Sequence, residues 1–540
     1  MKKLYFISMV CAAVMFVSCG KKASVLESSI PNDAFMVTRF DVKSMISKSE
    51  YNLFENQTIK FAVEGMKLML TEPQKKLLES FHKDANSFGI DIKGNSYIFM
   101  NEQVIGVLFG VNNAKKVFEN FKAIDPSFES MITQEKGVYS VSIEDGVEIY
   151  WNKEKMMLLV NYSQYLGVNQ EEIDYFNLPK EKSIVSDVNY KKFSKTKGDI
   201  SFYYAMSNYM NFIKNLSDKI ESEETARTKE MFDKMVAIYE NFSGIALIMH
   251  CNFEKGKIVT SAQTLYATKE DEKRFAELYD YNVKLTGEFL KYIPQNPLFL
   301  FAMGFDGEKI LAMEEKIGLV SFIDEMLAEE FGKVANFFDY KALIKSIKGD
   351  IVISFYNANV ENNNFTAAGS AFVKLNNTDA VKLLLDTLNA KIGEVENMPF
   401  EFGIKDNFFY LVMKDGLVER ENDLMKRIKD QPMFIFGDLT GLNESLKPLY
   451  ETRPETMAFS GIIGKGLSLV ETFESRYIDK DNIEFVIYFT DKKQNSLKQI
   501  FGFVDEAINK VASMAGSLFG GGGNDFEYYD EDEENEDFEF

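Results

Sequence analysis

Two sets of short fragments run in the same order through the two halves of this chain, and that collinearity constrains its fold more than any other feature. Ile30-Pro31-Asn32-Asp33-Ala34-Phe35-Met36 leads into Val37 to Asp41, and Ile293-Pro294-Gln295-Asn296-Pro297-Leu298-Phe299 leads into Leu300 to Asp306. Ile92-Lys93-Gly94 and Ile347-Lys348-Gly349 each open an apolar run, and Phe242-Ser243-Gly244-Ile245 recurs as Phe459-Ser460-Gly461-Ile462. The run Ile258 to Ala267 reaches Thr268 and a charged helix start, just as Ile483 to Phe489 reaches Thr490 and Asp491-Lys492-Lys493. The offsets are 263, 255, 217 and 222 residues, ordered and shorter toward the C-terminus. Each match alone is at chance level, and a Lys-Gly-Asp piece also occurs at Lys197 to Asp199. Their order is the information. The spacing far exceeds a solenoid unit, so each copy would be a domain: 30–292 and 293–515. An unrelated strand-and-helix order that merely runs in step is the alternative.

Short-range patterns fill in each copy. Glu254-Lys255-Gly256-Lys257 joins two β-rich runs, and Glu144-Asp145-Gly146 joins Val138–Ile143 to Val147–Trp151, each with a glycine where a tight turn tolerates positive φ. Such hairpins imply antiparallel sheet. Thr268 and Asp271 are spaced as a capping pair for a helix with the stripe Phe275, Leu278, Tyr279, Val283 and Leu285. Met231, Phe232, Met235, Val236, Ile238 and Tyr239 make a similar stripe, and both read as core. The predicted class is α+β, with two tandem related domains, each an antiparallel-rich sheet packed with helices.

With 61 Lys and Arg against 83 Asp and Glu, the net charge is −22. Such a field repels nucleic acid, and no run of Lys or Arg supplies a local exception. Beyond the leader the histidines are His82 and His250, far apart and without acidic or cysteine neighbours at ligand spacing, so neither a metal site nor a Ser-His-Asp triad is indicated. Gly461-Ile462-Ile463-Gly464-Lys465-Gly466 lacks the spacing of a phosphate-binding loop and reads as a strand or turn feature. Cys251 lies in the apolar run Gly244 to Phe253 and reads as a core cysteine, with His250 on the opposite strand face. Carboxylates are too numerous for spacing to single out a pair. No catalytic residue, cofactor-binding residue or metal ligand is assigned.

Cys19 is the one residue with a specific chemical role. Lys2 and Lys3 precede the apolar run Leu4 to Val17, and Phe16-Val17-Ser18-Cys19-Gly20 resembles a relaxed lipobox. The run is shorter than the roughly 20 residues of a spanning helix and fits a secretory signal. Cleavage before Cys19 would leave Phe16 and Ser18 at positions where an ordinary signal has two small residues, which favours a lipoprotein signal (1–18) over plain secretion or a retained anchor. Acyl chains on Cys19 would then hold the membrane, each buried methylene contributing about 0.8 kcal/mol. Residues 19–29 read as a lipidated tether; Gly20 to Pro31 would reach at most about 40 Å. At the other end, 516–540 reads as a disordered Gly-rich linker and acidic tail. Its last stretch, Asp525 to Phe540, carries ten acidic residues interleaved with Phe526, Tyr528, Tyr529, Phe538 and Phe540. Those aromatics are candidates for docking a basic partner, the alternative being a solvated tail that aids solubility.

With the lipobox, the Ile30-Pro31-Asn32-Asp33-Ala34 start and Asp41-Val42-Lys43-Ser44-Met45, the chain resembles an uncharacterised family of Bacteroidota envelope lipoproteins, domain of unknown function 4836, over most of residues 26 to 515. The family carries no activity or site residues to transfer. The resemblance implies a lipid-anchored protein of a Gram-negative envelope. Gly20-Lys21-Lys22-Ala23-Ser24 after the cysteine lacks the acidic residues that surface-exported lipoproteins of that phylum often bear there, which favours the outer membrane's periplasmic face over the cell surface. The leading expectation is a non-enzymatic protein that binds or scaffolds another envelope component. A carrier of an apolar ligand such as lipid and a carboxylate-dependent hydrolase stay open.

Overall fold

The computed structural model describes residues 23–50, 70–83, 85–91, 94–144, 146–162, 173–217, 226–278, 283–331, 339–361, 364–392, 400–413, 417–452, 454–457 and 459–519. Cys19, the leader and the tail aromatics Phe526, Tyr528, Tyr529, Phe538 and Phe540 lie outside these. The first half contributes β1 (Met36–Asp41), β2 (Ile90–Asp91), β3 (Asn95–Met100), β4 (Val104–Val111), β5 (Thr133–Glu135), β6 (Val138–Glu144), β7 (Val147–Trp151), β8 (Lys155–Asn161), β9 (Ile200–Ala205), β10 (Ile245–Glu254) and β11 (Lys257–Tyr266). The second contributes β12 (Phe299–Asp306), β13 (Ile347–Glu361), β14 (Asn364–Leu375), β15 (Phe400–Lys405), β16 (Phe408–Met413), β17 (Met433–Asp438), β18 (Val470–Asp479) and β19 (Asn482–Phe489).

All of these strands join one antiparallel sheet. Across the first half the order is β11, β10, β9, β1, β3, β4, β8, β7, β6, β5, with β2 beside β4 where β3 stops. Across the second it is β19, β18, β17, β12, β13, β14, β16, β15. From β11 to β7 and from β19 to β15 the two orders match strand for strand. Pairing of β11 with β19, from Lys257↔Tyr488 to Gln263↔Asn482, fuses the halves edge to edge. Among the described residues the pairings never return on themselves, so the sheet is open rather than a closed barrel, with β5 and β15 as its outer strands.

The strands at two of the repeated fragments fall at matching places and agree in register; Ile92 and Lys93 themselves lie outside the described residues. Arg39 faces Tyr97, and the residues at offsets of 263 and 255, Ala302 and Val352, face each other. Asp41 and Asp306 end their strands alike, each capping the next helix by accepting from the backbone N–H of Ser44 or Lys309. The predicted turn glycines Gly146 and Gly256 adopt φ of 83° and 66°. Thr268 and Asp271 cap helix Lys269–Leu278 reciprocally.

Other expectations change. Gly244 has φ 78° and turns the chain into β10, whereas Ser460-Gly461-Ile462 opens helix Ser460–Leu469, so the shared Phe-Ser-Gly-Ile is not an equivalent mark and Gly461 to Gly466 is helical, not strand or turn. A Cβ on Gly466 would come 2.8 Å from the Phe503 ring, so close helix packing accounts for a glycine there. Helix Lys269–Leu278 ends before Val283 and Leu285, and Leu285 packs in the second half's core, as do Phe289, Leu290 and Tyr292. The boundary at 292/293 therefore moves toward residue 283. Likewise the tether does not extend to residue 29, because Leu26, Ser29 and Ile30 are buried in the first half. Helix Ser496–Phe519 runs through the expected boundary at 515.

Helices cover one face of the sheet. Each half's last helix reaches the other half: Leu278 packs with Ile317 and Met313, and Leu497 with Met45 and Phe253. Ion pairs Lys316–Glu277 (3.1 Å) and Lys498–Glu50 (2.6 Å) accompany these contacts. The opposite face carries two caps. In the first half, helix Ala23–Glu27, the chain to Ile30 and residues 173–193 bury Leu26, Ile30, Phe176, Tyr190 and Phe193 on the sheet. In the second, Leu285 to Ile293 and residues 417–428 bury Phe289, Ile293, Leu424 and Ile428. Among the described residues no helix is long and apolar enough to cross a membrane.

Candidate functional site

Directly opposed residues on neighbouring strands share a face, and on the capped face they form a polar line: Tyr97, Arg39, Ser201, His250, Ser261, Glu484, Arg476. Arg39, only 6% exposed, donates to the Thr196 carbonyl at 2.7 Å and to Ser201 Oγ at 3.2 Å, and lies 4.9 Å from the centre of the Phe193 ring. His250 Nδ1 sits 3.0 Å from Ser201 Oγ, its ring stacks on Phe193, and its buried Nε2 has no hydrogen-bond partner. Burial, with Arg39 nearby, pulls the imidazole down to about 4. Glu27 accepts from Tyr97 and Tyr190 hydroxyls at 3.1 and 3.3 Å. Burial pushes its carboxyl above the ordinary range although both hydrogen bonds and Arg39 pull the other way. The opposite face of β10 holds Cys251, half-buried beside Met45, Phe253 and Leu497, its thiol pushed up by burial. Among the described residues no group of three or more His, Cys, Asp and Glu is placed to hold a metal.

A lysine ties each cap to the sheet. In the first half Lys155, at the start of β8, donates to Ser29 Oγ and the Phe176 carbonyl, with its ammonium 4.5 Å from the centre of the Phe176 ring. Burial pulls it down to about 8. Beside this contact is a cavity of about 340 Å³ between Tyr150, Leu159 and residues Ile173 to Asn177. In the second half the start of β16 carries Phe408, and the lysine comes from the next strand: Lys374 pairs with Glu288 of the cap at 2.8 Å. Asp350, fully buried, fixes that cap by accepting from Thr286 and Gly287 backbone N–H groups at 3.0 and 2.7 Å.

The second half thereby keeps an open cavity of about 830 Å³. Phe289, Tyr292 and Phe408 form its floor; Lys374, Glu288, Asp406, Asn407, Arg420, Glu421 and Asp423 stand around it. Several of these polar groups already hold the wall in shape. Arg420 donates to the Tyr292 carbonyl at 3.1 Å, Asn422 to the Ile293 carbonyl at 2.9 Å, and Lys291 pairs with Glu419 at 2.6 Å. The arrangement can offer hydrogen bonds and charges of both signs to a ligand. Spacing could not reveal it, because Glu288, Lys374, Asp406 and Arg420 meet only through the sheet. Arg39 did carry a signal, a cation on the same strand face as Val37.

A family model described as Domain of unknown function (DUF4836) matches residues 26–430. The chain belongs to this family. No curated protein matches it. The family match covers both cavities, the second cap and the first cap from Leu26 onward, and ends just before β17.

Proposed function

We propose that this protein is a membrane-anchored envelope lipoprotein that binds or scaffolds another envelope component without catalysis. Cys19 carries the anchor, and the outer membrane facing the periplasm is the proposed site, in a Bacteroidota cell. The observation that carries the binding reading is the second-half cavity, whose Lys374, Arg420, Asn422 and Lys291 are engaged in ion pairs or carbonyl hydrogen bonds that shape a polar recess. The common strand order supports treating the halves as tandem copies of one unit, of which the second keeps the wider recess. The tail aromatics Phe526, Tyr528, Tyr529, Phe538 and Phe540 are a further proposed docking element. The apolar-carrier reading draws no support from the larger cavity, which Lys374, Glu288, Asp406, Arg420, Glu421 and Asp423 surround.

Two measurements test the proposal. Palmitate should label wild type but not Cys19→Ala, and the latter should leave the membrane fraction; an unlabelled, soluble wild type would overturn the anchor. Envelope crosslinks made by wild type should disappear in Asn407→Trp, which blocks the cavity mouth, and an unchanged pattern would overturn the binding site. The carboxylates Glu288, Asp406, Glu421 and Asp423 around one cavity favour a second reading, a hydrolase. Glycoside and ester turnover lost in the pair Asp406→Asn with Glu421→Gln would support it, and absence of turnover in wild type would remove it.

A further inference from the structure

We infer that β15 is a docking edge for a second copy of this chain, paired antiparallel with its own β15 about a two-fold axis. The matching strand of the first half, β7, is flanked by β8 and by β6, and β6 is flanked in turn by β5. That half ends on three exposed residues, Thr133 to Glu135, followed by exposed Lys136, a short charged edge of the kind that resists pairing. The second half has no counterpart of β5 and β6 among the described residues, and β15 pairs only with β16. Its six residues leave a row of backbone N–H and C=O groups directed away from β16.

The sequence of β15 names the occupant. With Gly403 on a two-fold axis, an antiparallel partner copy sets Glu401 opposite Lys405 and Phe402 opposite Ile404. Both charged residues are exposed, so two complementary ion pairs form across the seam. A parallel in-register pairing sets Glu401 against Glu401 and Lys405 against Lys405, which like-charge repulsion disfavours. The chain already joins corresponding strands this way, since β11 and β19 occupy matching places in their halves and pair antiparallel. Such an interface is self-complementary and closes at two copies.

The test is sedimentation of the full-length chain in detergent. Wild type should dimerise, Lys405→Glu should weaken self-association by at least about tenfold with unchanged thermal unfolding, and the swap Glu401→Lys with Lys405→Glu should restore the dimer. A wild type that stays monomeric up to about 100 µM, a Lys405→Glu protein that dimerises like wild type, or a double swap that fails to recover would each overturn the inference.

Discussion

The two halves put different chemistry at matching places in one strand order. Where the first half has Arg39 against Ser201, the second has Ala302 against Phe434. Where the first closes its cap with a buried lysine, the second uses a partly exposed ion pair and leaves a recess of about 830 Å³ against about 340 Å³. A sheet of this kind tolerates either a polar or an apolar filling as long as most of its buried polar groups are matched. The polar filling binds its cap through directional contacts. The apolar one adds stacked rings, with Phe372 lying 5.3 Å from Phe289 and 5.4 Å from Tyr292, to the hydrogen bonds that Asp350 accepts at one end of its cap.

Removing the guanidinium breaks the contrast most severely. Arg39→Ala deprives the Thr196 carbonyl, Ser201 and Glu27 of their cation, and chemical denaturation should show a loss of about 3 to 5 kcal/mol. Arg39→Met, closer to the second half's character, should cost far less, and an equal cost for both would mean that packing volume rather than charge matters there. Acid should next expose the first half's sensitivity. Since His250 is held near 4 instead of 6.5, the unfolded chain binds the extra proton first, so this residue's share of stability falls as pH drops through 6.5 and levels off below about 4. The difference between wild type and His250→Leu across that window should reach about 3 kcal/mol; a flat difference would refute the buried neutral imidazole.

The lysine pair separates the halves more gently. Lys155→Ala leaves Ser29 and the Phe176 carbonyl without their donor and should cost about 1 to 3 kcal/mol, whereas Lys374→Ala should cost no more than about 1 kcal/mol. Equal losses would erase the distinction between caps. A smaller effect lies in alkaline solution. Lys155 is held near 8 instead of 10.5, so stability should rise with pH between those values, and Lys155→Met should abolish that slope.

Legibility in the sequence follows the range of the interactions. Turn glycines, the Thr268–Asp271 cap and the Ile-Pro mark act within a few residues, and each falls where expected. The Phe-Ser-Gly-Ile match misled because four residues do not set backbone conformation: Gly244 is needed for its positive φ, while the 461–466 glycines permit close helix contact. Leu26 and Leu285 looked like connecting chain or the end of a helix because the sheet they cover is assembled from strands far along the sequence. The recess was illegible for the same reason, as its Lys374–Glu288 contact spans 86 residues.

The exchange of terminal helices bears on the order in which the protein can be made. A growing chain emerges from the ribosome N-terminus first, yet Met45 and Phe253 of the first half are covered by Leu497 of the final helix, and Glu50 waits for Lys498, 448 residues later. The first half therefore emerges with an apolar surface exposed and completes its packing only when the last strand and helix arrive, with the slow closure that such distant contacts impose. Until then it depends on whatever shields nascent chains in its compartment.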